Sequence, residues 1–365
     1  MELSNFGLSI SRSIFCIYIY VIVACCLSLM HASLPTIVAT SRLGGNETDR
    51  LALLAFKAKI TNDPLQVLSS WNGSIPFCQW HGVTSGRRHK RVTKLDLSFE
   101  KEIPPELVRV RRLQILGLNN NTISGRIPAN LSACSNLYDL YLEFNNLVGP
   151  ILVELGSLSK LRSIYVKHNN LTGILPHSFM NVSSLEILSA FGNNIGGRVP
   201  YALGQLTNIG IISLGSNRLY GTIPPSIFNL SSLTIFDVFQ NKQIIGSLPS
   251  DIGITLPNIQ FFSIGENKFT GSIPTSISNA SNLEVLLLNV NNFAGQVPTM
   301  ERLHKLNVIN LGINYLGSGE TEDFNFLSSL TNATNLRVFI LDSNNLEECF
   351  PNPSATSHPS LNYLV

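Results

Sequence analysis

The sequence repeats itself about every 24 residues, and this period limits the fold more than any other feature. The segments LRSIYVKHNNLTGILPHSFMNVSS, from Leu161, and IGIISLGSNRLYGTIPPSIFNLSS, from Ile209, share the frame L-x-x-L-x-L-x-x-N-x-L-x-G-x-I-P. Such a period predicts a solenoid, because no single repeat can bury its own apolar edge. The repeat asparagines, mostly 24 residues apart, are Asn121, Asn145, Asn169, Asn193, Asn217, Asn241, Asn267, Asn291, Asn314 and Asn344.

The frame also predicts the local structure of each repeat. Its L-x-L segment alternates, which is typical of a short strand whose leucines point inward. Strands of successive repeats would pair into a parallel sheet with a spacing of about 4.8 Å. The repeat Asn can hydrogen-bond buried main-chain groups of its own turn and of the next coil. We expect the strand leucines to be almost fully buried, for example Leu116, Leu140, Leu188 and Leu286.

These residues carry a resemblance to a known family. Over residues 92–346 the frame resembles the plant extracellular leucine-rich repeat. The resemblance implies an α/β solenoid, a right-handed arc with a parallel concave sheet and a second strand from the L-x-G-x-I-P segment. Residues 46–91 resemble the helical N-terminal cap of plant leucine-rich repeat receptor-like kinases. In this cap, Asp49 to Ile60 predicts an amphipathic helix covering the first coil, with an apolar face formed by Leu51, Leu54, Ala55 and Ala58.

The first 45 residues predict export from the cytosol. Arg12 precedes an uncharged apolar stretch from Ile14 to Met30, and small residues follow, so residues 1–32 are interpreted as a secretory signal. The stretch is also long enough for an uncleaved signal anchor. Residues 33–45 are interpreted as a linker. Nine Asn-x-Ser/Thr sequons then favour a glycosylated protein that is secreted or at the cell surface, at Asn46, Asn72, Asn120, Asn130, Asn170, Asn181, Asn229, Asn279 and Asn332.

The stretch CQWHGVTS, residues 78–85, has two interpretations. Cys78 with His81 could be a nucleophile and its base, but such a pair needs a third group to orient the base, and the neighbouring sequence offers none. The receptor-kinase cap that this segment resembles carries C-x-W-x-G-V-x-C, and its two cysteines pair. Here Ser85 stands at the second cysteine position, so we interpret Cys78 as a half-cystine without its partner. Cys134 is expected to pack as a small apolar residue.

The repeat is irregular at both ends. In the first coil Glu100 occupies the Asn position, and between Asn314 and Asn344 the spacing grows to 30 residues. In that insertion Phe324, Leu327 and Leu330 recur at helical spacing, which predicts a short convex-side helix. The acids Glu320, Glu322 and Asp323 suit the start of such a helix, and a metal site is the less favoured alternative. Residues 347–365 are a divergent tail in which LNYLV, from Leu361, restarts a strand.

Composition limits the function. The chain has 13% charged residues and a net charge of +2, which gives no electrostatic case for nucleic-acid binding. The basic run from Arg87 to Arg91 is either a polyanion site or, as we favour, a solvated loop. The family resemblance implies a transmembrane helix and a serine/threonine kinase in full-length relatives, whereas this sequence shows no kinase motif. We therefore expect no catalysis, no cofactor and no metal, and membrane attachment only through a segment missing here or an uncleaved signal.

The variable positions around the strand leucines predict a binding surface on the concave sheet. Aromatic residues beside charges are typical of interface hot spots, although they could also simply cover a solvated sheet. The favoured function is an extracellular recognition module of a plant receptor-like kinase in defence, binding a peptide or protein ligand and possibly a leucine-rich repeat co-receptor. The alternative is a secreted inhibitor of microbial cell-wall enzymes or a decoy. The predicted ligand residues are Tyr141, Phe144, Tyr165, His168, Phe191, Asp237 and Phe239.

Overall fold

A computed structural model describes residues 46–60, 66, 68–88, 90–97, 103, 105–319, 321–346 and 363–364. The predicted signal segment 1–32, the linker 33–45 and most of the tail 347–365 lie outside the described residues, as does Glu100 in the first coil. The described chain is a solenoid in which each coil begins with a strand of a long sheet. Most coils then pass through a second sheet and end in a short helix.

The long sheet contains the L-x-L segment of each repeat. Its strands pair in chain order, parallel except for the first two, which form an antiparallel pair in the cap. The strand leucines Leu116, Leu140, Leu188 and Leu286 are fully buried, as predicted. The strands are Val83–Ser85, Val92–Asp96, Ile115–Gly117, Asp139–Tyr141, Ser163–Tyr165, Ile187–Ser189, Ile211–Ser213, Ile235–Asp237, Phe261–Ser263, Val285–Leu287, Val308–Asn310, Val338–Ile340 and Tyr363–Leu364.

The second sheet confirms the extra strand implied by the L-x-G-x-I-P segment. Gly at the turn of this segment lies in the left-handed region, for example Gly149 at φ 79° and Gly221 at φ 80°, which a Cβ atom would disfavour. Two strands pair at the N-terminal side, Val148–Pro150 and Asn170–Thr172. Six more pair in chain order: Gly196–Gly197, Arg218–Thr222, Gln243–Gly246, Lys268–Gly271, Asn292–Gly295 and Tyr315–Leu316.

Short helices close most coils on the side opposite the long sheet; between Gly295 and Val308 the chain forms turns instead. One is a single α-helical turn, Ile252–Thr255, and the others are 3₁₀ helices. The helix predicted in the long insertion is present as a 3₁₀ helix, Thr321–Asn332, with Phe324 and Leu330 buried. The remaining 3₁₀ helices are Phe77–Gln79, Pro105–Arg109, Ala129–Ala133, Val153–Ser157, His177–Asn181, Tyr201–Gln205, Pro225–Asn229 and Thr275–Asn279.

The cap helix is present, but the predicted buried face is wrong. The helix runs from Asn46 to Lys59 and buries Asp49 together with Ala52, Leu53 and Phe56. Leu51 is 51% exposed, Ala58 is exposed, and Leu54 and Ala55 are half-buried. The prediction failed because the buried face of the helix includes the carboxylate Asp49. A search for periodic apolar residues does not include a charged residue in the buried face.

The repeat asparagines form a continuous ladder through the solenoid. Asn145 Nδ2 donates to the carbonyl of Leu142 in its own turn at 3.1 Å, as predicted. Nδ2 also donates to the carbonyl of Glu143 in the same turn at 3.3 Å. Two further partners belong to the preceding coil: Nδ2 donates to the carbonyl of Leu118 at 2.8 Å, and Oδ1 accepts the N–H of Ile123 at 2.9 Å. The predicted partner was the next coil, which is wrong. The strand-end carbonyl and the second-sheet amide within reach of this side chain both lie one coil back.

Candidate ligand-binding surface

Two tyrosines begin the predicted surface on the long sheet. Tyr141 and Tyr165 are paired residues of neighbouring parallel strands, so their side chains point to the same side of the sheet. Their rings stack at a centroid distance of 5.1 Å and an angle of 19°. Both are half-buried, so each ring presents an edge for contact. The repeat places the aromatic residues in register because the variable position between two strand leucines recurs after 24 residues.

A second aromatic row lies where each strand turns toward the repeat Asn. Phe144 and His168 both adopt left-handed backbone, at φ 57° and 51°, and their rings stack at 4.7 Å. His168 also meets Phe191 edge-on at 5.4 Å, and Lys167 Nζ lies 5.3 Å from the Phe144 ring centroid. The row therefore crosses three coils and places a cation beside an aromatic face.

A glycine makes room for the histidine. Gly192 occupies the same repeat position as Phe144 and His168 and has φ 68°. A Cβ atom added there would lie 2.8 Å from Nδ1 of His168, which is closer than van der Waals contact allows. The absence of a Cβ atom at Gly192 thus leaves room for the His168 ring in its stacked position.

Ionisable groups beside the aromatic rows are perturbed by burial. Burial, together with the charges of Asp139 and Glu143, raises the pKa of Tyr141 to about 12. Burial also raises the pKa of Asp139, against a hydrogen bond from Ser163. It raises the pKa of Glu143 as well, against a hydrogen bond with the residue's own backbone and the charge of Lys167. Within the described residues, Oε2 of Glu143 is a buried oxygen without a hydrogen-bond partner. A ligand that donates a hydrogen bond or a positive charge here would compensate this buried carboxylate.

The pKa of His168 moves in the opposite direction. Burial and the neighbouring Lys167 lower the pKa of His168, so the neutral ring is favoured. A neutral imidazole offers one donor and one acceptor to a ligand.

The other three predicted ligand residues are placed differently. Phe191, Asp237 and Phe239 are buried, at 4%, 0% and 3% exposure. Asp237 accepts hydrogen bonds from Ser213 Oγ at 3.1 Å and from the amide of Phe239 at 3.0 Å. A Cβ atom at Gly215 would lie 2.9 Å from the Phe191 ring and 3.0 Å from Asp237 Oδ1, so Gly215 separates these two side chains. The seven residues thus follow one band along the sheet, with the exposed part at Tyr141, Phe144, Tyr165 and His168.

Sequence reasoning left out part of this band. Lys167, Asp139 and Glu143 lie beside the aromatic rows. The repeat pattern places all three on the concave face, but they were not among the predicted ligand residues. A comparison of the repeats also shows a second column of residues in the long sheet. This column consists of the residue before the central strand leucine, which is apolar in every repeat from the fourth onward. Its members are paired in register: Ile187, Ile211, Ile235, Phe261, Val285, Val308 and Val338.

The cap cysteine does not form a catalytic pair in the described structure. Cys78 is half-buried and is a free cysteine, and no hydrogen bond joins it to His81 in this part of the chain. The tryptophan of this stretch has a packing role, because Trp80 stacks on Trp71 at 5.3 Å. Cys134 is the buried thiol that was predicted, and burial raises its pKa to about 11.

The sequon asparagines lie at the surface. Eight of the nine are exposed, and Asn279 is half-buried with its Oδ1 accepting a hydrogen bond from Arg302 at 2.7 Å. Their accessibility is compatible with modification, which remains a prediction. Exposed sequons recur at the ends of the short helices, at Asn130, Asn181, Asn229 and Asn332.

The acidic cluster of the long insertion serves the loop before its helix. Asp323 Oδ2 accepts the amides of Ser318 and Gly319 at 2.7 and 2.9 Å. Glu320 and the side chain of Glu322 lie outside the described residues. Over the described ranges, no group of three or more His, Cys, Asp or Glu side chains could hold a metal ion. No helix in the same ranges is long and apolar enough to span a membrane.

Comparison with known proteins agrees with this architecture. Residues 46–84 match the family described as the leucine-rich repeat N-terminal domain, and residues 112–134 and 160–182 match the leucine-rich repeat. The chain therefore carries a leucine-rich repeat N-terminal domain followed by leucine-rich repeats, in the solenoid fold that the sequence predicted.

Its relatives are plant receptor kinases. The chain is 45% identical over 87 residues to the LRR receptor-like serine/threonine-protein kinase EFR of Arabidopsis thaliana, an alignment that covers 23% of this chain and 8% of EFR. The chain thus spans far less than two thirds of this relative.

Solved ectodomains share the fold. The Arabidopsis receptor kinase HAESA ectodomain, in complex with an N-terminally extended IDA peptide hormone, superposes with a TM-score of 0.73 at 28% identity, covering 83% of this chain and 54% of that one. HAESA in complex with IDA and the co-receptor SERK1 gives a TM-score of 0.67 at 29% identity, covering 82% and 54%. The chain resembles ligand-binding ectodomains, not catalytic domains.

Proposed function

We propose that this chain is the extracellular recognition module of a plant receptor-like kinase that binds a peptide or protein ligand on the exposed part of the aromatic band. One observation carries the proposal: Tyr141, Phe144, Tyr165 and His168 form two stacked rows in adjacent coils, beside Lys167 and the half-buried Glu143. Stacked, partly exposed rings supply apolar contact area at little entropic cost, and the charges beside them supply specificity.

The family supports the ligand class. HAESA was solved with a peptide hormone and with a co-receptor, and by analogy we assign this chain a peptide or protein ligand and a leucine-rich repeat co-receptor. The similarity to the receptor kinase EFR is the basis on which we place this chain at the outer side of the plasma membrane. We also propose a defence role and a non-catalytic chain. The secreted inhibitor is not favoured, because the relatives are receptor kinases.

Selection from a displayed library of random linear peptides tests the ligand surface. Peptides enriched on the purified secreted chain are then titrated against Tyr165→Ala and His168→Ala. We expect each variant to weaken binding by tenfold or more, about 1.4 kcal/mol, since truncating a hot spot costs more than about 1 kcal/mol. Tyr201→Ala is the matched control, because Tyr201 is 56% exposed on a short helix away from the long sheet. Equal affinity for all three variants would remove the aromatic band as the ligand site.

A further inference from the structure

One flank of the solenoid carries positive charge alone. The turns that follow five successive repeat asparagines, residues 194–200, 218–224, 242–249, 268–274 and 292–298, contain four basic residues and no Asp or Glu. These segments include five neighbouring strands of the second sheet. The basic side chains are all exposed, and we call them the basic row: Arg198, Arg218, Lys242 and Lys268.

No carboxylate neutralises the basic row within the described part of the chain. The ion pairs found there involve other cations, at Arg50, Arg91, Lys94 and Arg162. Arg218 instead donates to the neutral side chain of Asn194 at 2.8 Å.

The acid nearest to the row along the chain is Glu266. Its Oε2 accepts a hydrogen bond from Gln240 at 3.0 Å, and it forms no ion pair with the row. Within the described residues, the row therefore presents four exposed cations without an ion-pair partner.

The spacing of the row is set by the coils. Arg218 pairs with Gly196, and Lys268 pairs with Ile245, so the charges rise from neighbouring parallel strands. The Arg198 stem lies over Gly221, where an added Cβ atom would be 3.3 Å from Cγ. With about 4.8 Å between strands, the row extends over roughly 15 Å along the solenoid axis. The register of these pairs, Arg218 with Gly196 and Lys268 with Ile245, places the members of the row at different points along their strands.

Two further features distinguish this flank. Tyr220 and Ile245 lie among the charges and are 46% and 48% exposed, which adds an aromatic ring and an aliphatic group to the row. No sequon begins in these five segments, whereas the short helices of the same solenoid carry several, and the flank sequon Asn170 lies one coil before the row. Predicted glycans would therefore leave the basic row uncovered.

We propose that the basic row binds a linear acidic polysaccharide, a polyuronate chain that lies along the solenoid axis. A uronate polymer carries one carboxylate per sugar, so a chain that crosses these coils presents several carboxylates to the exposed cations of the row. Tyr220 offers its ring to a sugar face. The proposal is independent of the peptide site on the long sheet, because the second sheet forms a different side of each coil.

Binding of oligogalacturonate to the full secreted chain, measured by calorimetry at low and at moderate salt, tests the proposal. Replacing the basic row by Gln at all four positions should weaken binding by tenfold or more, and added salt should weaken binding to the parent chain. The matched control removes four exposed charges elsewhere, with Arg87, Arg88, Arg111 and Arg112 changed to Gln. We expect this control to bind within about twofold of the parent.

Two results would overturn the proposal. One is equal loss in both quadruple variants, which would show a response to net charge alone, and the other is loss only in the control, which would place the site at the basic loop. Poly-glutamate of similar length distinguishes an acidic peptide from a sugar chain. Tyr220→Ala should weaken oligogalacturonate binding and leave poly-glutamate binding unchanged; equal affinity of both polymers for the parent would reject the polysaccharide assignment.

Discussion

Arg91 clamps the buried carboxylate of Asp49, with Nε and Nη2 each 2.7 Å from one of its oxygens. Asp49 Oδ2 also accepts the amide of Val92, the first residue of the first parallel strand. The cap helix is thereby attached to the edge of the long sheet by a fully buried acid whose cation is mostly buried. A bidentate pair with this geometry has its hydrogen bonds satisfied inside the protein.

Asp49→Ala is therefore expected to destabilise the cap strongly. Breaking a buried pair leaves the Arg91 guanidinium and the Val92 amide without their partner, which costs about 3–5 kcal/mol. Chemical denaturation followed by tryptophan fluorescence measures the unfolding of the cap, because Trp71 and Trp80 lie in it. Glu47→Ala is the control, since its pair with Arg50 is exposed and should contribute nothing measurable. Similar midpoints for the two variants would contradict the role of Asp49.

Val290 is expected to be a strained position. It occupies the left-handed turn before a repeat Asn at φ 54°, a conformation that β-branched residues rarely adopt. Val290→Asn should raise the free energy of unfolding by about 1 kcal/mol, because Asn tolerates this backbone at lower cost. Val290→Thr, which keeps the β-branch, is the control and should not stabilise. A Val290→Asn variant with the parental midpoint would show that the turn is not strained.

Ser85→Cys is expected to restore the cap disulfide. Cys78 is free, and Ser85 occupies the position where related caps carry the second cysteine. Closing this short loop should raise the melting temperature, corresponding to about 2 kcal/mol, and lower the number of titratable thiols. Ser85→Ala controls for loss of the hydroxyl. An unchanged melting temperature with a reactive Cys78 would mean that the two positions do not meet the geometry of a disulfide.

Glu143→Gln is expected to stabilise the protein at neutral pH. Burial raises the pKa of Glu143, so the folded state binds its proton more tightly than the unfolded state does. Parental stability should then fall as pH rises from the unfolded pKa, about 4.3, through the raised folded pKa, and stay lower above it. Glu143→Gln has no carboxylate at this position and does not lose this stability. Its free energy of unfolding should therefore exceed the parental value at neutral pH and match it below about pH 4.

Denaturant midpoints across this pH range measure the effect. Glu154→Gln is the control, because Glu154 is exposed on a short helix. An advantage of Glu143→Gln that persisted at low pH would contradict the assignment to carboxylate burial.

How far the sequence predicts the structure depends on whether a residue acts through its own repeat. Leu140 and Leu188 are buried as expected because alternation within one strand decides which side chains face the core, and the period repeats that decision in every coil. Asn145 was recognised as structural for the same reason. Its preceding-coil partners were not, because strand geometry alone does not say which neighbour offers the open carbonyl.

By itself, the sequence determined the solenoid, the order of strands in the long sheet and the aromatic positions on that sheet, since these follow from a period of about 24 residues. The tertiary structure decided which of those positions are exposed. Tyr165 and Phe239 lie on the same predicted surface, yet Tyr165 stacks on Tyr141 at a half-buried position while Phe239 is buried, with its ring 3.1 Å from a Cβ atom added at Gly265. The physical reason is that the exposure of a side chain depends on how it packs against side chains one or two coils away. The repeat period aligns these side chains but does not determine how they pack.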